Sequence, residues 1–235
     1  MAAGDVAAAG PLAATGALPS PGELPELANV HWRERASEAS LRRADRTWTL
    51  SIVAHEVPFL TTAVVLPLLA PVLAVVSVFA LAFAWAIPAL YAARGAGVLR
   101  PARRRAVSDR GAEQRALGFL GDLVGHEARE LVARTGLVVE RGAFGVWVLG
   151  PAGALLVRPG GRRVQSYCVR VNDTDLPLAD RVAHLLLALR ADESGFATVA
   201  NLEWSGACWR LRPRLSDGGR EGLSCARCAA RSRGA

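Results

Sequence analysis

The feature that most constrains this chain of 235 residues is an uncharged, mostly apolar run from Val57 to Ala93. As one straight helix the run would be about 55 Å long, whereas the hydrocarbon of a bilayer is roughly 30 Å thick. One membrane span therefore needs fewer residues than the run contains, and two ordinary spans need slightly more. The run indicates an integral membrane protein, because water-soluble folds seldom contain such a segment.

The segment Pro67–Pro71, Pro-Leu-Leu-Ala-Pro, carries two prolines near the middle of the run. Because proline interrupts a helix, the sequence predicts a membrane segment over residues 49–93 that forms two helices broken near Pro67–Pro71. The helices are expected at about 49–69 and 72–92. The alternative is one span over Val72–Ala93, preceded by a helix that lies in the membrane interface.

Arginines lie on both sides of the apolar run, and the predicted turn carries no charge. Five precede the run and five follow it: Arg33, Arg35, Arg42, Arg43 and Arg46, then Arg94, Arg100, Arg103, Arg104 and Arg105. Positively charged flanks stay in the cytoplasm, and two cytoplasmic flanks require an even number of spans. The sequence therefore predicts a multi-pass protein of the inner (plasma) membrane whose soluble domain is cytoplasmic.

The charge balance also bears on partners. All 28 basic residues are Arg, against 21 acidic ones, and the net charge is +7. This Arg usage, together with the abundant Ala, Gly, Val and Leu, is typical of a GC-rich genome, and we expect a bacterial source. Beside an apolar block, a basic excess favours anionic headgroups over nucleic acid. The expected partners are the bilayer, headgroups bound by Arg100, Arg103, Arg104 and Arg105, and an unknown protein, but no nucleic acid.

Composition divides the rest of the chain into segments. Residues 1–28 are rich in Ala and Pro and predict a disordered tail. Residues 29–48 predict a short juxtamembrane helix with Glu–Arg pairs three or four positions apart. Residues 94–111 predict a basic linker, and residues 216–235 a disordered basic tail.

Residues 112–215 have the composition of a folded domain. An apolar helical period covers Glu113–Thr135, and a second one covers Leu178–Asp192. Between them, Gly- and Pro-containing turns separate four strand-like runs: Leu137–Glu140, Gly145–Leu149, Ala154–Arg158 and Val164–Val171. Short further elements are expected at Phe196–Leu202 and Ala207–Leu211. This order predicts an α+β soluble domain, an antiparallel sheet backed by helices, attached to a transmembrane helical hairpin.

The four cysteines offer one candidate metal motif. Cys225 and Cys228 form a C-x-x-C and are weak metal candidates, because a structural zinc site needs four ligands. Cys168 and Cys208 are the remaining thiols, and both are expected in strands. Redox chemistry would need the motif at the start of a helix after a strand, whereas it lies in a Gly/Ser/Arg-rich stretch. We therefore expect neither a metal nor a cofactor.

One stretch is similar to a known family. Gly125-His126-Glu127 in a predicted helix precedes a strand that ends at Gly150-Pro151 and a strand at Gly153–Val157. Over about residues 121–165 this order resembles the nuclease-related domain of the PD-(D/E)xK class. The same order is also met in generic strand–turn–strand units.

The resemblance implies specific roles and specific losses. Glu127 would match the helical metal-binding carboxylate of that family. Gly145 stands where the strand Asp is expected, and Arg158 and Gly160 stand where the second acid and the Lys belong. Metal-dependent hydrolysis needs carboxylate ligands, so the resemblance implies a fold relative that has lost catalysis.

Two functions therefore remain open. The favoured one is a membrane protein presenting a non-catalytic cytoplasmic interaction or regulatory module. The alternative is a membrane-anchored enzyme with a degenerate nuclease-related domain, in which His126, Glu127 and His184 are the candidate catalytic residues. An enzyme needs polar residues that converge in a pocket, whereas an interaction module needs an exposed apolar patch.

Overall fold

A computed structural model describes residues 33–100, 110–169 and 176–232. Within them the chain forms a five-stranded antiparallel sheet whose strands follow one another in sequence order. The strands are β1 (Val138–Arg141), β2 (Val146–Gly150), β3 (Gly153–Val157), β4 (Arg163–Cys168) and β5 (Asn201–Ala207). The α+β class and the antiparallel sheet backed by helices are confirmed.

Eight α-helices accompany the sheet in the described ranges. They are α1 (Glu38–Leu69), α2 (Ala74–Ala96), α3 (Arg110–Leu123), α4 (His126–Thr135), α5 (Leu178–Ala191), α6 (Glu193–Val199), α7 (Cys208–Leu211) and α8 (Asp217–Arg231). Single 3₁₀ turns extend three of the connections, at Pro71–Leu73, Gly97–Leu99 and Arg212–Arg214. The predicted helix over 113–135 is thus two helices, α3 and α4, separated at Val124–Gly125.

Helices cover both faces of the sheet. Because successive side chains of a strand point to opposite faces, β2 supplies both hydrophobic cores. Trp147 and Leu149 pack in the core formed with α3 to α6 and the start of α1. Val146 and Val148 pack in the opposite core, with the end of α2, α7 and α8. Burial on both sides explains why β2 and β3 are apolar at nearly every position.

Helix α1 contains residues of both the predicted juxtamembrane helix and the predicted first apolar helix. A capping box starts it: Ser40 N–H donates to the Ser37 hydroxyl, and Ser37 N–H donates to the Ser40 hydroxyl. The helix then runs unbroken to Leu69, with Pro58 and Pro67 inside it. The predicted juxtamembrane helix and first apolar helix are therefore continuous. Residues 29–32 and the predicted tail over 1–28 lie outside the described residues.

Helices α1 and α2 pack against each other in antiparallel orientation. The rings of Phe59 and Phe83 stack with centroids 6.0 Å apart, and Trp48 meets Tyr91 edge-on at 6.1 Å. The chain reverses at Ala70, whose backbone is extended, between the prolines that predicted the break. The buried residues of α2 before Ala92 are small or proline: Ser77, Ala80, Ala84 and Pro88. Small residues let the two helix backbones approach closely.

Two segments have a structure other than the predicted one: the residues that follow the apolar run at the end of α2, and the C-terminal segment. Residues 94–99 do not act as a linker, because Val98 and Leu99 are buried against the sheet. Residues 101–109 lie outside the described ranges. Residues 217–231, predicted as a disordered tail, form α8, which buries Leu223, Ala226 and Ala230 in the second core. Apolar spacing along one face outweighs the low helix propensity of the glycines in α8.

Candidate membrane interface

The distal parts of α1 and α2 expose an apolar surface. Between Val57 and Trp85, the large apolar side chains that are at least 45% exposed are Val57, Leu60, Val64, Val65, Leu68, Leu69, Val72, Val75, Val76, Val78, Phe79, Leu81, Phe83 and Trp85. Both helices are long and apolar enough to cross a membrane. In their most apolar 18-residue windows only 11% and 22% of the residues are buried, unlike in a core helix. These faces need an apolar environment that the domain itself does not supply.

A group of arginine and tryptophan side chains, called the belt below, lies at the base of this surface. Trp209 is 69% exposed, and the Arg210 guanidinium lies 5.1 Å from the centre of its ring. Arg210 also lies 3.8 Å from the carboxylate of Glu56 on α1. Trp85 of α2 lines a groove together with Trp209 and Arg214. Tryptophan and arginine at one level are typical of the boundary between hydrocarbon and headgroups.

A basic cleft lies beside α1 on the domain side of the belt. It is open to solvent, has a volume of about 520 Å³ and is lined by Arg42, Asp45, Arg46, Thr49, Leu50 and Arg163. Of the arginines predicted to meet headgroups, Arg100 donates to the Arg214 carbonyl at 3.1 Å, near the same base. Arg103, Arg104 and Arg105 lie outside the described residues. The described arginines of the cleft place positive charge next to exposed Leu50.

Buried polar contacts fix α1 to the sheet. The Asp45 carboxylate accepts hydrogen bonds from Gln165 Nε2, at 3.0 Å, and from the Ser205 hydroxyl. Arg163 Nε lies 3.6 Å from the same carboxylate. Gln165 also donates to the Leu41 carbonyl and accepts from the Tyr167 hydroxyl. A buried carboxylate with this many partners holds α1 at one position and angle on β4 and β5.

A second ion pair lies at the start of α1. Buried Arg158, at the end of β3, donates to Glu38 and to the Phe144 carbonyl. Burial by itself raises the pKa of Glu38, but hydrogen bonds and charge from Arg158 and Arg42 outweigh it. The net result is a Glu38 pKa below its ordinary value. The ion pair therefore favours the charged carboxylate and adds a second attachment for α1.

A glycine allows the backbone of helix α2 to lie close to the sheet. A Cβ at Gly95 would lie 2.9 Å from the Ser166 hydroxyl oxygen and 2.9 Å from Trp204 Cβ. No side chain fits there without displacing the sheet, so the α2 backbone lies directly on β4 and β5. Both helices of the hairpin therefore enter the domain as core elements.

The predicted catalytic residues lie on the outer helices. His126 is the exposed first residue of α4, and His184 is exposed on α5. No hydrogen bond joins these two histidines in the described structure. Glu127 follows His126 in α4, and its side chain lies outside the described part. Among the described residues no group of three His, Cys, Asp or Glu side chains is arranged to hold a metal ion.

Two positions named by the nuclease resemblance have structural roles. A Cβ at Gly145 would lie 2.3 Å from the Val157 carbonyl oxygen, so that position has no room for an aspartate. Arg158 is engaged with Glu38 and Phe144, as described above. Neither position supplies a metal-binding carboxylate.

The four cysteines differ in their exposure and in the element that carries them. Cys225 and Cys228 are exposed free thiols in the second half of α8, away from the helix start where a thiolate is stabilised. Cys208 is buried in α7, not in a strand, and burial raises the pKa of its thiol to about 11. Cys168 ends β4, as predicted.

Sequence reasoning did not find Asp45, Gln165, Ser205, Trp209 or Arg210 as parts of one site. Their partners lie more than a hundred residues apart in the chain, and no local pattern marks them. Comparison of the chain with known protein families, curated proteins and solved structures finds no match.

Proposed function

We propose that this chain is an integral membrane protein that holds a non-catalytic interaction or regulatory domain at the cytoplasmic face of the plasma membrane. The observation that carries the proposal is the exposed apolar surface of α1 and α2 with a belt of Trp209, Arg210 and Glu56 at its base. An apolar surface of this extent in water would drive aggregation, whereas in a bilayer it is the stable arrangement.

The contacts of the hairpin base support a fixed orientation of the domain. Asp45 binds α1 to the sheet, and Gly95 brings α2 against Trp204. Each helix leaves the domain core and enters the apolar region without an intervening loop. Any partner of the domain would therefore meet the same surfaces at a constant angle to the bilayer.

The proposed partner surface is on α3 and α5. Apart from the hairpin and Trp209, the large apolar side chains exposed in the described ranges are Phe119 of α3 and Leu187 of α5. The two helices pack against each other, and neither takes part in the hairpin base. Exposed apolar residues on adjacent helices support binding of a protein partner more than of a small substrate.

Anchoring and sidedness are tested on the full chain in cells. We expect it to remain in membranes washed with alkaline carbonate. A membrane-impermeant maleimide should label Cys225 and Cys228 only after lysis, while buried Cys208 stays unlabelled in the native protein. Release by carbonate would contradict anchoring, and labelling in intact cells would place the domain outside the cytoplasm.

Partner binding is tested by photo-cross-linking in the same cells. A photoreactive amino acid at position 119 or 187 should give a discrete protein adduct. The matched control is the same residue at position 130, an exposed Glu of α4. Equal adducts at position 130, or none at 119 and 187, would contradict a partner surface on α3 and α5.

A further inference from the structure

We propose that the α1–α2 hairpin enters the bilayer from one side and turns within the hydrocarbon, so that the protein is held in the membrane without crossing it. This inference rests on the proposed membrane anchoring and adds the depth of insertion. It differs from the two full spans expected from the sequence.

The depth is set by where charge last occurs on the hairpin. Glu56 carries the last charge of α1 before the turn, and Arg210 lies beside it. On α2 the corresponding level is Trp85, which shares a groove with Trp209 and Arg210. The stacked pair of Phe59 and Phe83 lies immediately beyond both, so the two helices leave the belt at the same height.

The length beyond this level is too short for a crossing. Residues 57–69 of α1 and 72–84 of the second arm remain, thirteen positions in each. At about 1.5 Å per residue each arm is about 20 Å long, and the hydrocarbon is roughly 30 Å thick. The turn therefore lies past the midplane, about 10 Å short of the opposite headgroups, and any tilt would bring it nearer the midplane.

The chemistry of the turn agrees with that depth. Residues 66–73 read Leu-Pro-Leu-Leu-Ala-Pro-Val-Leu, and Leu68 and Val72 are each 80% exposed. A turn that reached the opposite interface would be expected to carry charged, amide or aromatic side chains there. This turn has none of them, and its exposed surface matches hydrocarbon.

At Ala70 the backbone of the turn keeps its hydrogen bonds, which favours a position in hydrocarbon because unpaired peptide groups are costly there. Ala70 is the one residue between α1 and the 3₁₀ turn Pro71–Leu73. Its N–H donates to the Leu66 carbonyl at 3.1 Å, and its carbonyl accepts from Leu73 N–H at 2.9 Å. Pro71 has no N–H to satisfy. The reversal thus adds no unpaired group at Ala70 and removes one donor at Pro71.

A full crossing would require a different boundary. If the hydrocarbon began near Leu50, α1 would have about 20 residues available, which is enough for a span. That boundary would draw Glu56, Arg210 and the α7 backbone into the hydrocarbon. Charged groups there cost several kcal/mol each, and the 3.8 Å pair between Glu56 and Arg210 remains partly exposed. The shallower position keeps both charges at the headgroups.

Depth-dependent fluorescence quenching tests the inference. The full chain, with its native cysteines replaced, carries one environment-sensitive fluorophore at Leu60→Cys or Leu68→Cys and is reconstituted into phosphatidylcholine–phosphatidylglycerol vesicles. Spin-labelled lipids then quench it from known depths. The midplane is about ten residues from the boundary. It falls near residue 67 if the boundary is at Val57, and near residue 60 if it is at Leu50.

We therefore expect the deepest spin label to quench position 68 more strongly than position 60. On the second arm, the pair Val75→Cys and Leu81→Cys should show the same order, with position 75 deeper. Stronger deep quenching at 60 and 81, with shallow quenching at 68, would overturn the inference in favour of a full crossing. The matched control is Leu187→Cys on α5, which should not be quenched by any lipid.

Flotation with the vesicles separates the two proposals. A chain that does not float overturns the membrane anchoring, and the insertion depth with it. A chain that floats but has position 60 deepest overturns the depth alone and leaves the anchoring supported. Equal results from both arms exclude an effect of one substitution on the fold.

Discussion

The two halves of α1 show how one helix meets two environments. In residues 38–56 the helix carries Asp45 and several arginines, and it buries Leu41 and Asp45 against the domain. In residues 57–69 it carries no charge, and only Ala63 is buried. The helix is continuous through the change. A single element therefore belongs to the domain core at one end and exposes an apolar surface at the other. Under the proposed anchoring, the domain has a defined orientation on the membrane.

The largest effect should come from placing charge on the distal half. Val64→Arg together with Val75→Arg puts two arginines on exposed apolar faces. At about 3 kcal/mol each in the middle of a helix, they weaken insertion by about 6 kcal/mol and should release the protein from carbonate-washed membranes. Leu187→Arg, a similar change on the domain surface, should leave it in the pellet. Full retention of the double variant would contradict a lipid-facing surface.

Removal of the Asp45 carboxylate should have the next largest effect. Asp45→Ala leaves Gln165, Ser205 and partly buried Arg163 without their shared partner. We expect the free energy of unfolding to fall by about 3–5 kcal/mol. It can be measured by denaturant titration of tryptophan fluorescence in mild detergent.

The control for Asp45 is an exposed ion pair. Asp122 contacts Arg129 at the surface, and Asp122→Ala should cost less than about 1 kcal/mol. Equal losses in the two variants would mean that the Asp45 contacts do not fix α1 to the sheet. Membrane pelleting of the Asp45 variant should be unchanged, because the distal half is intact.

A matched pair of leucine truncations compares the two halves directly. Leu41 is 5% exposed in the domain core, and Leu68 is exposed at the turn. Leu41→Ala should lower the free energy of unfolding by about 2–4 kcal/mol, whereas Leu68→Ala in detergent should change it by less than about 0.5 kcal/mol. The same titration measures both. A large loss for Leu68→Ala would indicate a protein contact at the turn instead of lipid.

The smallest expected effect is a pH dependence at Glu38. Its pKa is lower in the folded protein than its ordinary value of 4.5, so the ionised form stabilises the fold. The advantage of the wild type over Glu38→Gln is present at neutral pH and is lost as pH falls below the ordinary value through the folded pKa. Because Glu38 is partly exposed, the difference should stay below about 1 kcal/mol. A difference that grows as pH falls would contradict the ion pair with Arg158.

Local patterns predicted much of the sheet. The segment Gly-Pro-Ala-Gly over 150–153 indicates a tight connection, and the strands on either side of it are observed within one residue of their predicted bounds. The apolar period also predicted helix α5. These features depend on neighbours in the sequence, so the sequence alone carries their signal.

Helix α8 shows why other parts were not predictable. Its glycines and serine indicate a loop, and the apolar positions that favour a helix are mostly alanines. Gly222 instead fits against Val148, where a Cβ would lie 3.2 Å from Cγ1. The small residues that lower helix propensity are those that let the helix approach the sheet. This spacing of small residues favours a helix only when the helix packs against β2.

The interface with anionic headgroups stays a prediction, and the residues at the base of the apolar surface were not part of it. The sequence pointed to anionic headgroups through Arg100 and its neighbours, whereas Trp209 and Arg210 lie in a segment assigned to the domain. They reach the base of the apolar surface because α7 follows β5, which lies beside α2. Long-range pairing of this kind leaves no periodic signal in the chain.

The sequence by itself determined that two apolar helices exist and that they reverse between Pro67 and Pro71, because hydrophobic runs and proline act on the local backbone. Only the tertiary structure decided where the domain stops and the apolar surface begins. That level is set by Glu56 meeting Arg210 from the far end of the chain. A folded contact brings those charges to one height, and under the proposed insertion the cost of burying them in hydrocarbon limits the depth of the hairpin.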